Sequence, residues 1–236
     1  MGMPAVHYVG SETPSFNGGT LEPDLFGYQR PSPPREAAKC EVVSSLPATS
    51  AWPFGGLKMF GYGLILADCP WSYEMYSENG YAKSPEAHYN TMDDEELARL
   101  PVELLASGDC YLIMWAIWPK LDSAMRIMKR WGAVYKTGGA WHKKTRHGKT
   151  AFGTGYILRS SCEPFLVGTF GSPKSGSKSI RNLIEAPTRE HSRKPDQMRR
   201  SAEKLTPSAF RCELFAREPW AGNDVWGLET GKFVNA

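Results

Sequence analysis

The stretch Gly63-Leu64-Ile65-Leu66-Ala67-Asp68-Cys69-Pro70-Trp71 decides the fold. Its first part is an unbroken apolar run that ends at a carboxylate. A run of that length reads as a strand buried on both faces of a parallel sheet. The same signal returns downstream, interleaved with helical periods. Cys110 to Ala116 reads as a second buried strand, Ala133 to Trp141 as a third and Glu163 to Thr169 as a fourth. Leu183 to Glu185 reads as a short fifth, and Phe210 to Phe215 as the last. Thr91 or Asp93 caps an acidic helix over Asp94 to Leu100, with carboxylates in the turn where the helix dipole favours them. Pro119 opens a helix whose Leu121, Ala124, Met125, Met128 and Trp131 share one face, and Gly132 stops it. A third helix runs from about Pro195 to Leu205, with Met198, Ala202 and Leu205 turned inward. Alternating strands and helices predict an α/β fold with a mostly parallel sheet, flanking helices and a ligand site at the strands' C-terminal ends.

The chain has 236 residues, 41% of them hydrophobic and 22% charged, which suits a globular α/β domain and excludes a wholly disordered chain. Residues 1–56 hold eight of the 18 prolines and show no sustained period, so they read as an extended arm ahead of a domain over 57–236. Within the arm, Pro31-Ser32-Pro33-Pro34 suits a stiff linker better than a polyproline ligand. No run approaches the roughly 18 apolar residues of a membrane span, and no basic–apolar leader opens the chain. A soluble protein of the cytoplasm, with no membrane partner, is expected. Cys40, Cys69, Cys110, Cys162 and Cys212 are scattered without a Cys-x-x-Cys pair, which fits a reducing compartment and gives no metal site.

A net charge of +3 admits a nucleic-acid partner without requiring one. The charge is unevenly placed. Residues 68–109 hold ten acids against two bases, whereas 142–160, with Lys143, Lys144 and Arg146, hold five Lys/Arg and no acid. Residues 173–204 hold nine Lys/Arg against four acids. These stretches read either as solvated faces or as two basic loops gripping a phosphate backbone, the first of them too irregular for a single element.

Asp68-Cys69-Pro70-Trp71 suits a definite chemistry. An exocyclic amine on a nucleobase is a poor nucleophile, because its lone pair is delocalised into the ring. A carboxylate and a backbone carbonyl, each accepting one of its N–H bonds, draw the nitrogen toward tetrahedral geometry and stabilise the positive charge that develops as a methyl group arrives. A proline turn fixes the two acceptors, and an aromatic ring stacks on a base that must be unpaired or flipped out. Taken alone, the same four residues also suit an ordinary acidic strand end. A second motif, Gly171 to Ser179, imitates a phosphate loop, but Ser177 separates Gly176 from Lys178, so a nucleoside-triphosphatase reading fails.

Further motifs follow in order: His88-Tyr89-Asn90-Thr91-Met92, Ser192-Arg193-Lys194-Pro195-Asp196, Glu213-Leu214-Phe215-Ala216-Arg217 and Trp226-Gly227-Leu228-Glu229. With Asp68-Cys69-Pro70-Trp71 they make the chain, over about residues 60 to 230, resemble the permuted (β-class) adenine-N6 methyltransferases of the MT-A type. These are related to the catalytic subunit of the messenger-RNA methyltransferase complex. The resemblance implies a Rossmann-like class I fold with S-adenosylmethionine as cofactor. It implies catalytic roles for Asp68, the carbonyls at Cys69 and Pro70, and Trp71 against the base. Tyr89, Glu163 and Lys194 are implied at the substrate pocket, and Lys194 also lies near the donor. Glu213, Arg217, Leu228 and Glu229 are implied around the donor itself. The chain departs from the family pattern at Cys69, where the motif has its first proline, at Leu228, where an asparagine is expected, and after Arg217, where Glu218, Pro219 and Trp220 lack the polar pair some relatives use. Three functions stay open at this point. They are methylation of adenine N6 in DNA (favoured, with a prokaryotic or phage-infected cell as its setting), the same reaction on RNA, and a catalytically silent nucleic-acid-binding partner. The resemblance also implies a homo- or heterodimer with a related subunit.

Overall fold

The computed structural model describes residues 52–72, 91–153, 155, 157–190 and 193–233. The arm up to residue 51 and Tyr89 lie outside them. The chain builds β1 (Tyr62–Ala67), α1 (Asp94–Ala98), β2 (Ala106–Trp115), α2 (Leu121–Arg130), β3 (Val134–Lys144) and β4 (Cys162–Phe170). It continues with β5 (Leu183–Pro187), α3 (Asp196–Leu205), β6 (Arg211–Leu214) and β7 (Asp224–Trp226). The strands form one sheet in the order β5-β3-β4-β2-β1-β6-β7.

All six residues of β1 are buried, because the strand lies between β2 and β6, parallel to both, with both its faces covered. The pleat divides the run. Ile65 and Ala67 join one hydrophobic cluster, and Leu64 and Leu66 the other. β2 alternates likewise, with Leu112 and Met114 on the first face and Ile113 and Trp115 on the second. The first cluster is closed by Leu97 and by Ala124, Ile127 and Met128 of α2. The second is closed by Met198 and Ala202 of α3. A Cβ on Gly63 would come within 2.6 Å of the Ala209 Cβ, so only glycine fits there.

The expected sheet is mostly parallel, and the structure agrees with one reversal: β4 runs antiparallel to both neighbours, β2 and β3. Asp93, not Thr91, caps α1 through a reciprocal capping box with Glu96, at 2.7 and 2.9 Å. Gly132, at φ +81°, ends α2 as expected. Other expectations need correction. Met125 is 37% exposed, and its place on the buried face of α2 goes to Ser123, whose hydroxyl donates to Asp94 Oδ2 at 2.6 Å. β2 begins at Ala106, because Ser107, Gly108 and Asp109 are exposed strand residues with no apolar signal. β3 runs on to Lys144, so Lys143 and Lys144 are strand residues rather than part of an irregular loop. Ahead of β1, Phe54 is fully buried in the first cluster and Trp52 packs against it.

From β1 the chain moves to β2 on one side, and it later returns to lay β6 on the other. In an open α/β sheet such a switch point leaves a crevice beyond the strands' C-terminal ends. Both Asp68 and Phe215 stand just past those ends.

Candidate active site

A cleft lies at this switch point, with about 410 Å³ of space open to solvent. Leu66 in β1, Asp68 just after it, Glu213 and Phe215 at β6, and Lys194 ahead of α3 form its walls. Phe215 adopts φ +61°, a left-handed conformation that is strained for an aromatic residue.

A chain of alternating charges runs back from Asp68 and Lys194, which line the cleft, to Glu163 and Lys143, which do not. Lys194 Nζ lies 2.9 Å from Asp68 Oδ1 and 2.9 Å from Glu163 Oε1, while Lys143 Nζ lies 2.9 Å from Glu163 Oε2. Their side chains keep only 10–26% of their exposure. Burial alone pulls the Lys194 pKa down, but Asp68 and Glu163 together outweigh it, and the ammonium titrates above its ordinary range. Burial raises Glu163, and Lys194 and Lys143 overcome it, so that carboxyl sits below its usual value. The pairing follows from strand register. Trp141 stands opposite Glu163, and Lys143, two residues on and so on the same face, reaches Glu163 diagonally, with its ammonium 5.1 Å from the Trp141 ring centre.

Lys143→Met removes one of the two cations that hold Glu163 down against burial. The acid limb of the pH–rate profile is expected to move up by about one unit, and Lys143→Arg to restore it. A profile unchanged in Lys143→Met removes Lys143 from the site.

The turn after Asp68 is built from backbone hydrogen bonds. The Trp71 N–H donates to the Cys69 carbonyl at 2.9 Å, and the Met92 N–H donates to the Pro70 carbonyl at 2.9 Å. A carbonyl oxygen has two lone pairs, so each can accept a second bond. Cys69 is 3% exposed, and burial, reinforced by Asp68, pushes its thiol well up, which makes it an inert filler where a proline was expected. Trp71 is 4% exposed in the first core cluster, its indole N–H donates to the Trp115 carbonyl at 3.2 Å, and it is not among the residues lining the cleft. The indole that lines the cleft is Trp115, whose ring centre lies 5.7 Å from Lys194 Nζ.

A second network faces the other wall. Arg199 pairs with Glu213 at 2.7 Å and with Glu218 at 3.5 Å, and Glu218 also pairs with Arg193. Burial pushes Glu213 up to about 7 in spite of Arg199, so near neutrality it can both donate and accept a hydrogen bond. Arg217 Nε lies 3.9 Å from Glu229 Oε2. Leu228 is 88% exposed and not among the residues lining the cleft. Pro195, next to Lys194, is the cap residue of α3.

The residues suit S-adenosylmethionine. Lys194, Arg193 and Arg217 supply cations for a carboxylate, Glu213 an acceptor for sugar hydroxyls, and Phe215 and Phe233 apolar rings. The Arg193 Nε is buried with no hydrogen-bond partner among the described residues, as a donor awaiting a ligand would be. Sequence reading missed Trp115, Arg193, Arg199, Glu218 and Phe233. Of these only Arg193, inside the Ser192–Asp196 motif, carried a signal.

Such a fold and cleft define an α/β methyltransferase of Rossmann-like type. The chain belongs to the MT-A70 family, whose profile matches residues 62–229, and this makes it a methyltransferase of the adenine-N6 type. It is similar to the Type II methyltransferase M.MunI of Mycoplasma sp, at 30% identity over 71% of this chain and 77% of that protein. It is 32% identical, over 66% of its length, to a Putative N(6)-adenosine-methyltransferase MT-A70-like of Medicago truncatula. To the N(6)-adenosine-methyltransferase catalytic subunit METTL3 of Homo sapiens it is 28% identical over 66%. It spans only 24% and 26% of these last two. Among the described residues no helix is long and apolar enough to cross a membrane.

Proposed function

We propose that the protein transfers a methyl group from S-adenosylmethionine to N6 of adenine in DNA, in the cytoplasm of a prokaryotic cell. The observation that carries this reading is the buried Asp68–Lys194–Glu163 cluster at the mouth of β1. When bound, the cofactor supplies an electrophilic methyl group on a sulfonium sulfur. Asp68 Oδ1 is committed to Lys194, which leaves Oδ2 to accept one amine N–H. The Cys69 or Pro70 carbonyl accepts the other through its second lone pair. Lys194 fixes the Asp68 carboxylate in place, and Glu163 fixes Lys194. As the amine nitrogen turns positive, Asp68 stabilises it and takes its proton toward solvent. The likeness to the bacterial Type II methyltransferase M.MunI, at 30% identity over 71% of this chain, supports DNA.

The test is transfer of labelled methyl from S-adenosylmethionine to matched DNA and RNA pools, followed by nucleoside analysis. Label in N6-methyl-2′-deoxyadenosine is expected. Label in the ribonucleoside alone shifts the reading to RNA, and label in neither makes the chain a silent nucleic-acid-binding partner.

A further inference from the structure

We propose that Arg199 of α3 is a positioning residue for the methyl donor: it fixes the Glu213 carboxylate against the backbone of Glu218 and Pro219 at the edge of the cleft. This rests on the reading above that the cleft takes S-adenosylmethionine. The Arg199 guanidinium spends its donors on one short segment after β6. Nε donates to Glu213 Oε2 at 2.7 Å, Nη1 to the Pro219 carbonyl at 3.0 Å and Nη2 to the Glu218 carbonyl at 3.2 Å. The guanidinium carbon also lies 5.7 Å from the Trp220 ring centre. Glu203, four residues along α3 and so on the same face, accepts from the Trp220 indole N–H at 2.8 Å. Trp220 itself is 5% exposed in the second cluster. Two side chains of α3 therefore fasten the segment that leaves β6. This is the segment where Glu218, Pro219 and Trp220 follow Arg217 without the polar pair of some relatives. A planar guanidinium that reaches two carbonyls and a carboxylate at once fixes their relative positions, which an ammonium cannot do.

Charge is the second part of the role. Glu213 is buried, and the anions Asp68 after β1 and Glu218 after β6 both act against its ionisation. Arg199 is the cation paired with it, while Arg193, Lys194 and Arg217 line the same cleft. Burial carries the carboxyl up to about 7, and Arg199 opposes that rise. A hydrogen bond from a sugar hydroxyl to an ionised carboxylate is about twice as strong as one to a neutral acceptor. Without Arg199 the carboxyl keeps its proton to higher pH, and the ionised acceptor is lost across the neutral range.

The full chain is titrated calorimetrically with S-adenosylhomocysteine, which carries the donor's sugar and amino acid, from about pH 6 to about pH 9. In the wild type the affinity is expected to fall as the pH drops through about 7. In Arg199→Met that fall begins about one unit higher or more, and Kd near neutrality rises about tenfold. Arg199→Lys keeps the wild-type midpoint, because the charge remains, and binds about threefold more weakly at every pH, because the fork is gone. The ligand's own amino group titrates alike against all three proteins, so the differences among them are the readout. Thermal melting checks that each variant folds, and Arg199→Lys decides the matter where Arg199→Met does not fold. An unchanged midpoint in Arg199→Met, a shifted midpoint in Arg199→Lys, or undiminished affinity in Arg199→Lys overturns the role. Wild-type protein that does not bind S-adenosylhomocysteine overturns the functional reading and this role with it.

Discussion

Asp68→Ala stops methyl transfer, with a loss of about a thousandfold or more in single-turnover rate, while the chain still folds. The size of the effect follows from the chemistry. The adenine amine attacks only if an acceptor draws on its N–H bond and stabilises the charge that appears on nitrogen. Alanine removes that acceptor and also releases one of the two anchors of Lys194, which lies 2.9 Å from Asp68 Oδ1. The fold tolerates the change, because Lys194 keeps Glu163 at 2.9 Å and Asp68 lies past the end of β1, outside both core clusters. Asp68→Asn separates the parts of the effect: it keeps an acceptor oxygen and loses the charge, so a partial rate is expected. Circular dichroism checks the fold and quenched-flow transfer the rate. Turnover close to wild type in Asp68→Ala would mean that another group accepts from the amine.

What the sequence made legible was local. β1 could be read because a strand covered on both faces has no polar residue to interrupt it, and Asp93 and Gly132 because caps and stops are contacts within a few residues. The cluster's members were singled out through the family motifs, but their pairing was not. Lys143 looked like a phosphate-gripping lysine, because nothing along the chain says that antiparallel register sets Trp141 opposite Glu163. Arg199 carried no mark at all: it meets Glu213 only because α3 folds back onto the sheet face of the second cluster. Trp71 follows the Asp68 turn in sequence and packs into the first core cluster, whereas Trp115 arrives from β2 and, though only 1% exposed and part of the second cluster, borders the cleft. β7 is three residues long and exists through its pairing with β6.

Lys194→Met has the largest effect on stability, and its sign depends on pH. In the wild type, Glu163 titrates below its ordinary value. Such a carboxylate adds stability above its unfolded pKa and loses it as the pH falls through the folded one. Methionine takes away one of its two cations and leaves Asp68 and Glu163 with no ammonium between them. Burial, the largest influence on Glu163, then competes with Lys143 alone and pushes its pKa up, so the charged carboxylate becomes a burden at neutral pH. Removing one partner from a buried cluster of this kind costs about 3 kcal/mol, or roughly 6–12 °C in melting temperature for a domain of this size. The deficit is expected in full near pH 8 and to shrink near pH 5, where Glu163 takes up a proton. Lys194→Gln, which keeps hydrogen-bond donors without the charge, should recover part of the melting temperature and none of the pH dependence. A deficit of equal size at both pH values would show that Lys194 serves only as packing, and that the carboxylates on either side of it do not need its charge.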